Sequence, residues 1–158
     1  MRRLSIIAGV FGMAAAIGLP AVAQDYNANT NYGDLQLQAG FTPDPALVTL
    51  QAGGTLDAAD RFDTCQGFIA QAADVRLMWS GSGKGGSPIK ISVVSNADTT
   101  LVVNGPDGRW YCDDDSGEDS NPSLTLTPQN GRYEIWVGTY TSGETKNSVL
   151  SISEVTSF

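Results

Sequence analysis

From Leu47 onward, apolar residues recur with a period of two in short bursts, and each burst is closed by turn formers. Such bursts occur at Leu47–Gln51, Gly67–Gln71, Val75–Trp79, Ile89–Ser95, Thr99–Val103, Arg109–Cys112, Ser123–Thr127, Arg132–Thr139 and Ser148–Val155. The breaks are chemically explicit: Gly53-Gly54, the stretch 81–87, Asn104-Gly105-Pro106-Asp107-Gly108 and Pro128-Gln129-Asn130-Gly131. Alternation sends Ile89, Ile91 and Val93 to one face of their strand, and does the same for Leu101 with Val103, Leu124 with Leu126, and Leu150 with Ile152. In the longest burst it groups Tyr133, Ile135 and Val137, and turns Glu134, Trp136 and Gly138 the other way. No helical period of useful length interrupts the series, so the sequence predicts an all-β domain, a sandwich or a barrel. Its best-defined hairpin is Thr99 to Cys112.

The N-terminus follows a different rule. Met1-Arg2-Arg3 is a basic start, 4–19 is apolar and small, and Ala21-Val22-Ala23 is an A-x-A cleavage site. Together they predict a secretory signal peptide over 1–23, which is too short for a membrane anchor. Residues 24–31 are polar and Asn-rich and predict a flexible arm, followed by one domain over 32–158. Export implies a periplasmic or secreted protein. In that oxidising setting Cys65 and Cys112 are expected to pair, closing a loop that stabilises the fold by about 3–4 kcal/mol.

Charge narrows the partners. Seventeen acidic residues face nine basic ones, a net charge of −8, and loss of Arg2 and Arg3 with the signal would take it to about −10. That balance disfavours nucleic acid and anionic membrane surfaces as partners. Histidine is absent, which removes Ser-His-Asp and Cys-His catalysis and His-ligated zinc. A Ser-Lys pair around Lys84 would sit in a half-glycine stretch unable to desolvate the amine, and the same stretch lacks the order of a phosphate loop. A glycosidase carboxylate pair needs an apolar pocket that a Gly/Ser-flanked loop does not offer. A non-enzymatic protein is expected.

The acidic balance is concentrated in Asp113-Asp114-Asp115-Ser116-Gly117-Glu118-Asp119, five carboxylates in seven residues. Crowded carboxylates with turn-forming neighbours suit Ca²⁺, a hard cation that takes about 6–8 oxygen ligands. The expected ligands are Asp113, Asp115, Glu118 and Asp119, with Asp107 as a further member. The alternative is a carbohydrate- or protein-binding surface built from Trp110, Trp136 and Tyr140, aromatics that could stack on sugar rings or meet an extracytoplasmic protein.

From Asp98 the order of an Asp-led hydrophobic strand (98–103), a Gly105-Pro106-Asp107-Gly108 turn, the acidic stretch, and Gly131-Arg132-Tyr133-Glu134-Ile135-Trp136-Val137-Gly138 resembles the bacterial pre-peptidase C-terminal domain. Upstream, 39–45 and 63–69 resemble small exported proteobacterial proteins labelled peptidase-like. The first resemblance covers the C-terminal half. It implies an all-β, jelly-roll-like antiparallel β-sandwich, an accessory module able to bind calcium or a polymeric substrate. Where that family often carries a second acidic residue, this chain has Thr100, which weakens Asp98 as a ligand.

Overall fold

The computed structural model describes residues 28–81 and 87–158. The predicted signal peptide, the first residues of the predicted arm, and Lys84 with its Gly/Ser neighbours lie outside the described residues. Among the described residues, eleven strands form two packed sheets: β1 Asp34–Gln38, β2 Ala46–Gly53, β3 Leu56–Asp57, β4 Phe68–Ile69, β5 Val75–Ser80, β6 Ile89–Ser95, β7 Thr99–Asn104, β8 Trp110–Asp113, β9 Ser123–Leu126, β10 Gly131–Thr139 and β11 Thr145–Ser153. The smaller sheet runs β2-β11-β6-β9, antiparallel throughout. In the larger, β10 is central: β5 lies on one side, with the parallel β1 beyond it, and β7 and β8 lie on the other. Past the end of β5, the short β4 and then β3 continue along the same side of β10.

The predicted faces meet between the sheets. Ile89, Ile91, Val93, Leu101, Val103, Leu126, Tyr133, Ile135, Val137, Leu150 and Ile152 form one cluster with Val75, Leu77 and Trp79, and Leu124 packs at its margin. Because successive side chains alternate, Trp136 and Val102 face the opposite way, and the chain covers them with a second layer. The excursion between β2 and β5 crosses the outer face of the larger sheet and packs Ala58, Cys65, Ile69 and Ala73 against Val102 and Trp136. The Cys65–Cys112 disulfide, with Cα atoms 5.2 Å apart, fastens this excursion to β8. Backbone closeness makes the seal tight: a Cβ on Gly138 would lie 2.4 Å from the Thr100 hydroxyl and 2.8 Å from the Phe68 carbonyl.

The fold adds one strand to the sequence reading: the alternating Asp34-Leu-Gln-Leu-Gln38, with Leu35 and Leu37 packed at the core margin. Residues at and just after the described end of the arm are tied to the excursion and to β5. Asn31 N–H donates to the Ala73 carbonyl (2.9 Å), Tyr32 N–H to the Asp74 carbonyl (2.8 Å), and Arg76 to the Ala28 carbonyl (3.2 Å).

Candidate functional site

The acidic loop leaves β8 at Asp113 and returns at Asn121 to enter β9. Asp113 works as a turn-former: its carboxylate accepts from Ser116 N–H (3.0 Å), Ser116 Oγ (2.6 Å) and Ser123 N–H (2.8 Å). Asp107 has the same role in the β7–β8 hairpin. It accepts from Arg109 N–H (3.1 Å) and Gln129 (3.1 Å), and the Arg109 backbone hydrogen bond holds its carboxyl below the ordinary value. Asp115, Glu118 and Asp119 are exposed, and with Asp114 they make no side-chain hydrogen bond or ion pair among the described residues.

Loop order comes from Asn121, which is 3% exposed. Its amide nitrogen donates to the carbonyls of Ser95 (2.9 Å) and Glu118 (3.0 Å), with Asp119 at 3.4 Å, and its oxygen accepts the Thr99 hydroxyl (2.6 Å). An amide thus occupies a point where several carbonyl oxygens converge. Asp119 and Ser120 complete the bend at φ 54° and 58°, in the left-handed region.

The five ligands expected for calcium do not form one set. Asp107 belongs to a different turn, Asp113 is engaged by three donors, and among the described residues no group of three His, Cys, Asp or Glu side chains converges. Asp98 instead lies within electrostatic reach of Asp115 and Asp114. Burial raises the Asp98 carboxyl, and the charges of Asp115 and Asp114 raise it further.

The aromatic alternative is corrected more sharply. Trp136 is 1% exposed, inside the second layer. Trp110 is stacked on Phe62 with centroids 3.8 Å apart and tilted against Trp136 at 5.6 Å. Only Tyr140 of the three stands in solvent. The out-of-phase Trp136 marked a covered sheet face, not an open one.

A surface not predicted from sequence lies on the outer face of the smaller sheet. Leu47 on β2 is 58% exposed and Val94 on β6 is 43% exposed. Between them Val149 on β11 pairs directly with Val94 and lies diagonal to Leu47, so the three make a strip across three strands. Thr49, Gln51, Asn96 and Asn147 line the shallow groove around Val94 and Val149. At the β6 end, Val94 shares a recess with Phe158, Glu118 and Asp119. Neighbouring cations are engaged: Lys146 pairs with Glu144 (3.1 Å), and Lys90 donates to the Val155 carbonyl (2.9 Å).

Buried ionisable groups elsewhere have structural partners. Glu134, 3% exposed on β10, receives Arg76 (2.6 Å) and Arg132 through one oxygen, and Arg76 also reaches Asp34 (3.5 Å). Among the described residues, no helix is long and apolar enough to cross a membrane.

No known family and no curated protein matches the chain. Among solved structures it is similar to PliG of Aeromonas hydrophila, a periplasmic lysozyme inhibitor of g-type lysozyme, at 16% identity over 80% of this chain and 98% of that one, with a TM-score of 0.37. That likeness is too slight to bear on function.

Proposed function

We propose that the chain is an exported, non-catalytic binding module that engages a cationic protein through the outer face of its smaller sheet. One observation carries the reading: the apolar strip Leu47, Val149 and Val94 ends at the unpaired carboxylates Glu118 and Asp119. An apolar centre beside uncompensated charge suits a partner that presents an apolar side chain flanked by Lys or Arg. The chain's net charge of −8 favours encounter with such a partner. The absence of histidine, and the structural partners of Asp74 and Glu134, support a role without catalysis.

The test is calorimetric titration against purified cationic proteins, with acidic proteins as controls, at low and moderate salt. A cationic member is expected to bind, more weakly at higher salt. Val94→Asp or Glu118→Lys/Asp119→Lys is expected to weaken it about tenfold or more, while Tyr140→Ala leaves it unchanged. Loss of binding in Tyr140→Ala alone, or no preference for cationic proteins, overturns the reading.

A further inference from the structure

Between the end of β4 and the start of β5, β10 has no strand partner on that side, while β7 stays paired on the other, and Asp74 fills the break. Its N–H donates to the Ile135 carbonyl (2.8 Å), and its Oδ2 accepts the Val137 N–H (2.8 Å). Its Oδ1 accepts the Asn31 amide (2.9 Å), and its carbonyl accepts Tyr32 N–H. One side chain, 2% exposed, therefore joins the central strand to the segment that precedes β1.

No charge offsets this buried carboxyl. Its hydrogen-bond partners Asn31 and Val137 are neutral, and 70–73 of the adjoining excursion are Ala, Gln, Ala and Ala. Arg76 on β5 is directed at Glu134 and Asp34, and Arg132 on β10 at Glu134. Burial pushes the carboxyl up to about 6, against the lowering effect of the Asn31 and Val137 hydrogen bonds.

We propose that Asp74 is a proton-operated clasp that fastens residues 28–33 over the break between β4 and β5, held shut by the carboxylic acid and loosened by its ionisation. Asn31 serves both states: its amide nitrogen donates to the carboxylate, and after rotation its oxygen accepts the acid O–H. The sign follows from linkage. Lifting the segment hydrates Asp74 and returns it toward 3.8, so opening releases a proton and becomes easier as pH rises from about 4 to 6, levelling off above. An exported protein meets the acidity of its surroundings, so external acid would close this segment.

The experiment is amide hydrogen exchange of Asn31, Tyr32 and Val137 in the full chain from residue 24, corrected for intrinsic rates, between pH 4.5 and 7. The opening constant at these amides is expected to rise about 25-fold with pH in wild type and to stay flat in Asp74→Asn. Direct NMR titration of the Asp74 carboxyl carbon, expected well above the ordinary aspartate value, keeps the test open if that variant folds poorly. Wild-type protection independent of pH, or an ordinary Asp74 titration, overturns the proposal, as does an unchanged pH dependence in Asp74→Asn.

Discussion

Asn121→Ala tests whether the acidic loop is organised by the protein itself. The substitution removes donors to Ser95 and Glu118 and an acceptor for Thr99. Each such bond is worth about 1 kcal/mol net, and the fully buried Thr99 hydroxyl and the Ser95 carbonyl are left short of partners at about 1–2 kcal/mol together, giving a loss of roughly 4 kcal/mol. That is a large part of the 5–15 kcal/mol typical of a domain, and corresponds to a fall of about 10–20 °C in unfolding midpoint. Chemical denaturation gives the energy, and hydrogen exchange over 113–121 gives its location. Ser116→Ala is the control: its hydroxyl bond to Asp113 is exposed, and losing it should cost under about 1 kcal/mol. A loss below about 1 kcal/mol in Asn121→Ala refutes the reasoning. So does full recovery of the midpoint with millimolar calcium, because a metal rather than an amide would then be setting the loop.

Other consequences concern the covered face of the larger sheet. Cys65→Ser/Cys112→Ser opens a loop of 47 residues, should cost about 4 kcal/mol, and should expose Trp110 and Trp136 to fluorescence quenchers; an unchanged quenching rate would contradict the covering role of the excursion. Gly138→Ala drives a methyl group into the Thr100 hydroxyl and the Phe68 carbonyl and should cost about 2–3 kcal/mol, partly restored by adding Thr100→Ala. Thr100→Ala alone should be close to neutral, since its buried hydroxyl has no hydrogen-bond partner; denaturation midpoints check both.

Much of the sandwich was legible because period-two alternation has one physical reading when a face is buried. The inward sets on β6, β7, β10 and β11 came directly from it. Strand β1 escaped although Leu35 and Leu37 alternate, because the Asn-rich lead and the glycines on either side read as irregular chain. Its parallel pairing with β5 had no local signal at all. Trp136 was seen to point away from the main core, but whether that side was open depended on the excursion from 54 to 74, which joins it only through long-range contacts and the disulfide. In the acidic loop, carboxylate density was plain from sequence. The division of labour was not: Asp113, three residues before Ser116, carried the signature of a side-chain-capped turn, while Asn121 looked like another turn-former. Asp74 gave no warning, since its burial comes from a strand break that appears only when β4 and β5 line up on β10.

The most direct test of the binding role is NMR of the methyl-labelled protein titrated with the tightest-binding cationic protein of the panel. The account predicts shifts at Leu47, Val149 and Val94 and at the amides of Glu118 and Asp119, with the methyls of the covered residues Ile69 and Val102 unmoved. Shifts centred on Tyr140 or on the exposed edge of β1, with that strip silent, would contradict it.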